Sequence, residues 1–189
     1  MKLQVLLLAA VASVNASAAL LTYVGSLSGS NEIPAVASPG TGFASVTIDT
    51  IAHTATFNIT FSNLTSNTVA AHIHCCVAQP GNTAVATAVP AFAGFPLGVT
   101  AGNYASSPLS LLDAAFWNPT FVTAKGGIAQ ADAALTAGLA AGEAYLNIHT
   151  SNFAGGEIRA NLTLLPEPGT LGMVGAALAL LVAKRFRRV

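Results

Sequence analysis

His72 and His74, separated by Ile73, and His149, further along the chain, are the side chains best suited to hold a metal ion. An H-x-H pair on a β-strand puts two imidazoles on one face with Cα atoms ~6.6 Å apart. From there both can reach one ion at ~2.0–2.1 Å. By alternation Cys76 continues the histidine face, while Cys75 points the other way with Ile73. If the strand carrying His149 neighbours the H-x-H strand, His72, His74, His149 and Cys76 form a tetrahedral or trigonal set suited to zinc or copper. The same residues have a purely structural reading, in which the imidazoles hydrogen-bond backbone carbonyls and Glu157 and Arg159 form a neighbouring ion pair. Both readings stay open on sequence alone. Catalysis is not expected: the chain has no Gly-x-Ser-x-Gly elbow, phosphate-cradling glycine loop or EF-hand loop. His53 falls in a turn and is expected to be solvated.

Cys75 and Cys76 are the only two cysteines. Three intramolecular outcomes are open to them. These are a disulfide between adjacent residues, a Cys76 thiolate on the metal with Cys75 as a buried thiol, and two free thiols. Export into an oxidising space favours the vicinal disulfide.

The elements that must position these groups read as strands. Ala71 to His74 and Tyr145 to Thr150 alternate apolar and polar residues, as do Ala44-x-Val46-x-Ile48 and Ala55-x-Phe57-x-Ile59-x-Phe61. That period of two marks antiparallel strands with one wet face. Strands are expected over 20–27, 42–49, 55–61, 68–74, 142–150 and 156–164. Turns fall at 49–54 and 63–67. Residues 79–141 are less strand-like, with a Gly/Pro-punctuated loop over 90–103. A short helix is expected over 110–117, ended by Pro119, and another over 129–141, stopped by Gly142. Phe92, Phe95, Phe116, Trp117 and Phe121 read as core beneath the loops, with an exposed polysaccharide grip as the alternative. The fold class is therefore all-β: an antiparallel β-sandwich or barrel with one or two inserted short helices.

The two ends have a different character. Residues 1–18 form a secretory signal peptide, with Lys2 ahead of an apolar run and Ala16-Ser17-Ala18 as the cleavage site. This implies the secretory translocon and signal peptidase as partners. Residues 166–189 begin with Pro166, Glu167 and Pro168, continue uncharged from Gly169 to Ala183, and end in Lys184, Arg185, Phe186, Arg187 and Arg188. A basic cluster after an apolar helix is a stop-transfer pattern, with the cations on the cytoplasmic side. At ~1.5 Å per residue the uncharged stretch spans ~22 Å, short of a ~30 Å hydrocarbon core, and snorkelling cations make up part of the difference. Between these ends, 19–165 holds Lys125 and Arg159 against Glu32, Asp49, Asp113, Asp132, Glu143 and Glu157, a net charge of −4. So acidic a module has no electrostatic footprint for nucleic acid.

Two resemblances join these pieces. Gly25 to Pro34, Ala71 to His74 and the closing block Gly142 to Arg159 together resemble the chordin-type CHRD domain. That resemblance implies an extracellular all-β module and no settled biochemical activity. Pro-Glu-Pro, the apolar helix and the basic end resemble the PEP-CTERM sorting signal of Gram-negative bacteria. It implies an exosortase-like sorting protease as partner, membrane retention through the C-terminal helix, and release to the cell surface or an exopolysaccharide matrix. The expected function is a non-enzymatic surface or matrix module, with a copper- or zinc-binding redox or metal-handling protein as the alternative.

Overall fold

Alternation of apolar and polar residues builds the sheet strand by strand. In the computed structural model, which describes residues 20–166, β1 (Leu20–Ser28), β2 (Thr41–Asp49) and β3 (Thr54–Ser62) form an antiparallel meander. Ala44, Val46 and Ile48 of β2 and Ala55, Phe57, Ile59 and Phe61 of β3 are buried, and their alternate neighbours face outward. The β2–β3 turn closes on Asp49, whose Oδ1 accepts the N–H groups of Ile51 and Ala52. That turn leaves His53 in the left-handed region, with φ of 51°.

Next come β4 (Thr68–Cys75), β5 (Gly102–Ala105), β6 (Leu109–Ser110), β7 (Ala144–Thr150), β8 (Ile158–Asn161) and β9 (Thr163–Leu164). The strand order is β4-β7-β8-β1-β2-β3-β5, with β6 also on β3 and β9 also on β1. All nine strands of the described residues belong to one antiparallel sheet, curled into a half-barrel, so the architecture is neither a two-sheet sandwich nor a closed barrel. Curling lets one sheet enclose the core that two sheets would otherwise share.

The described residues hold two α-helices, α1 (Pro119–Lys125) and α2 (Ile128–Ala140). The helix expected over 110–117 is only a 3₁₀ turn, Ala114–Phe116, capped by the Asp113 carboxylate. Pro119 opens a helix rather than ending one. It stands in the first turn, where its missing N–H costs nothing, and Asn118 caps it by accepting from Thr120 N–H. The second helix forms where alanine propensity places it, and the chain leaves it through Gly142 at φ of 69°. Phe92, Phe95, Phe116, Trp117 and Phe121 are all buried, with Phe57 and Phe92 in ring contact at 4.3 Å. They are core, and none offers an exposed grip for a polysaccharide. Among the described residues, no helix is long and apolar enough to cross a membrane. The signal peptide (1–18) and the sorting motif from Glu167 through Arg188 lie outside the described residues.

Candidate metal centre

The histidines meet because β4 pairs directly with β7. In that antiparallel register His72 stands opposite Asn147, His74 opposite Tyr145, and Ala70 opposite His149. Strand β7 lies between β4 and β8 and is buried along its whole length. The side chains of its Asn147 and His149 therefore pack inside the protein. The rings of His72 and His74 have centroids 4.8 Å apart, and those of His72 and His149 4.6 Å. One ring nitrogen from each of the three lies within 4.8 Å of the other two. Tetrahedral nitrogens bound at ~2.05 Å stand ~3.3 Å apart, so side-chain rotations of an ångström or so close the set on one ion.

Hydrogen bonds select which nitrogen each ring offers. His74 donates Nδ1–H to the Thr83 carbonyl at 2.6 Å, and His149 donates Nδ1–H to the Ala154 carbonyl at 2.8 Å. Each bond leaves the lone pair on Nε2, the arrangement that orients metal-binding imidazoles. Nε2 of His149 lies 2.9 Å from Asn147 Oδ1, an acceptor facing an acceptor in this tautomer, so the contact is not a hydrogen bond. Nε2 of His74 and Nδ1 of His72 are buried with no hydrogen-bond partner among the described residues. Orphaned buried nitrogens cost free energy in a fold without a ligand for them, and their place in a set of ring nitrogens within 4.8 Å of one another fits a cation.

The surroundings keep the rings neutral. Burial pulls His72 down to about 3, helped by the nearby His149 and His74. Burial likewise takes His74 to about 4; the Thr83 carbonyl opposes this, and His149 and Arg159 add to it. His149 is lowered by burial against the pull of the Ala154 carbonyl. A neutral imidazole is the ligand form, so protons compete weakly for this site.

Around the histidines lie groups to which the sequence assigns no contact with the imidazoles. Glu32 is buried, its Oε1 has no partner among the described residues, and burial raises its carboxyl to about 7 against the opposing Arg159 charge and Asn147 hydrogen bond. Gly156, at φ of 123°, lets the backbone pass where any Cβ would crowd Glu32 Oε1 and Asn147 Nδ2. Tyr145 stacks on His74 with centroids 4.6 Å apart, and the Arg159 guanidinium covers the Tyr145 ring at 3.4 Å. The positions of Asn147 and Tyr145, paired opposite the H-x-H histidines in an antiparallel register, were the available signal for their role.

Three expectations are corrected. Cys76 does not join the converging imidazoles. Strand β4 ends at Cys75, and the Cys76 sulfur is bonded to Cys75 and packed against α2 near the Ala134 carbonyl. Glu157 and Arg159 do not pair. Burial raises the Glu157 carboxyl, but hydrogen bonds from Ser38, Thr150 and Thr65 outweigh it and hold the group below its usual value. Arg159 is bound instead by Asn161, Asn82, Gln79 and the Gly81 carbonyl. His53 is half-exposed, yet its Nδ1 is held at 2.6 Å by the buried Asp132 of α2.

A curled antiparallel β module with three imidazoles converging from two adjacent strands is thus the class that fold and site define. The chain belongs to the CHRD domain family, matched over residues 23–162, which points to an extracellular β module. The match runs from β1 to Leu162 and so contains all three histidines. No curated protein and no solved structure matches the chain.

Proposed function

We propose that this chain is an exported, non-enzymatic β module that holds a transition-metal ion, zinc or copper, on His72, His74 and His149. One observation carries this reading: three ring nitrogens within 4.8 Å of one another, with a nitrogen of His72 and one of His74 buried and unpartnered among the described residues. Three imidazoles leave a position open for water or another ligand, which suits a metal-handling role and contrasts with a closed four-ligand structural site. Membership of the CHRD family supports an extracellular setting. The Pro166–Arg188 tail supports delivery by an exosortase-like protease to the cell surface or exopolysaccharide matrix.

X-ray absorption on the zinc-loaded protein tests the ligand set. The expected spectrum has nitrogen and oxygen scatterers at ~2.0–2.1 Å and no sulfur near ~2.3 Å. Sulfur at that distance returns Cys76 to the site and overturns the assignment. Delivery is tested separately by replacing Lys184, Arg185, Arg187 and Arg188 with neutral residues. Unaltered processing and surface delivery of that variant contradicts the tail's role.

A further inference from the structure

Arg159 is fully buried, and among the described residues no carboxylate hydrogen-bonds it. A buried guanidinium is costly unless its donors are satisfied. Here Nε donates to Asn161 Oδ1 at 3.0 Å, and the remaining bonds converge on one turn. Nη1 donates to Asn82 Oδ1 at 2.9 Å, and Nη2 donates to the Gly81 carbonyl at 2.7 Å and to Gln79 Oε1. The turn runs straight into Thr83, whose carbonyl accepts the Nδ1–H of His74.

The other face of the same guanidinium lies on Tyr145, which stacks on His74. The Tyr145 hydroxyl also holds the Thr83 N–H at 3.3 Å. Arg159 therefore reaches His74 by two routes, one through the Gln79–Thr83 backbone and one through an aromatic ring. Both act on the orientation of a single imidazole. Arginine suits this task because its planar fork serves several fixed acceptors while its face stacks; lysine can do neither together.

We propose that Arg159 is a positioning residue of the metal centre, locking the Gln79–Thr83 turn and the Tyr145 ring so that His74 presents Nε2 to the ion. This rests on the metal reading above. Removing such an outer partner typically costs 10–100-fold in metal affinity.

The test compares full-length wild type, Arg159→Lys and the double variant Gln79→Ala/Asn82→Ala, using zinc and copper(II) as probes. The double variant leaves the cation in place and removes two of its acceptors on the turn, so it reads the clamp even if Arg159→Lys fails to fold. The expected result is tight binding by wild type, an affinity ~10–100-fold lower in both variants, and an altered copper(II) electron paramagnetic resonance spectrum. A residue that only stabilised the fold would lower the melting temperature and leave that spectrum unchanged. Wild-type affinity and spectrum in the double variant overturn the proposal. Absence of binding by wild type overturns the metal reading itself, and is recognised before any variant is compared.

Discussion

The imidazole of His74 and the ring of Tyr145 face each other from opposed positions of β4 and β7, 6° from parallel. The pair fixes the His74 ring against a strand buried along its length. Tyr145→Phe keeps the stack and loses the hydroxyl contacts to Thr83, at an expected cost of about 1 kcal/mol. Tyr145→Ala removes the ring, with an expected cost of about 3–5 kcal/mol and weaker zinc binding. Denaturant unfolding of the two variants checks the ordering; equal stabilities contradict the packing account.

The metal-free protein should become more stable as pH rises from about 4.5 to 6.5. His72 at about 3 and His74 at about 4 stay neutral in the fold through that window, while the unfolded chain takes up protons. Their contribution is complete above the usual histidine value and is lost as pH falls, at about 1.4 kcal/mol per pH unit for each group. His149 acts in the same direction. Glu32 works against them. Raised from 4.5 to about 7, it keeps a proton in the fold that the unfolded chain has lost, so its contribution fades as pH rises through 7. Several histidine slopes against one carboxyl leave a net gain toward pH 6.5. Thermal melts at several pH values measure this. His72→Gln should flatten the profile and Glu32→Gln should steepen it; a flat wild-type profile contradicts the burial account.

Gly138 of α2 lies against the paired sulfurs, and a Cβ there would collide with Cys75 Sγ and stand 2.9 Å from Cys76 Sγ. Disulfide and helix backbone are both stiff, so Gly138→Ala should destabilise by about 1–3 kcal/mol despite alanine's better helix propensity. Calorimetric melting resolves the sign. A stabilised variant rules out this close approach.

Asp132 pins the β2–β3 turn to α2 by accepting from His53 Nδ1 at 2.6 Å and from Thr136 Oγ1 at 3.4 Å. Asp132→Ala leaves the turn without its anchor and should cost about 1–3 kcal/mol. Limited proteolysis should then cut near Ile51 to Thr54, and unchanged protection there counts against the anchor.

What was legible in the sequence followed from local periodicity. The alternation of Ala44-Val46-Ile48 and Phe57-Ile59-Phe61 located β2 and β3, and the H-x-H pair with His149 on a second strand located the histidine cluster. Long β-strands carry their own pattern. β5 and β6 do not: Gly102–Ala105 and Leu109–Ser110 are too short to show a period and are strands only because β3 offers them an edge. Cys76 was misplaced because alternation was carried one residue past the end of β4. Pro119 was misread because the same residue that cannot continue a helix is well suited to starting one. The bonds from Arg159 to Gln79, Gly81 and Asn82 join residues 77 to 80 positions apart. No local pattern encodes them, and they exist only once β8 lies beside β7.

The most direct measurement is isothermal titration of zinc into the metal-free full-length protein and its single variants His72→Ala, His74→Ala, His149→Ala and Cys76→Ser. One equivalent bound by wild type and by Cys76→Ser, with binding lost or weakened at least about 100-fold in each histidine variant, is the expected result, since loss of a ligand should exceed the 10–100-fold typical of an outer partner. No binding by wild type, or binding that survives removal of the histidines, contradicts a metal centre on β4 and β7.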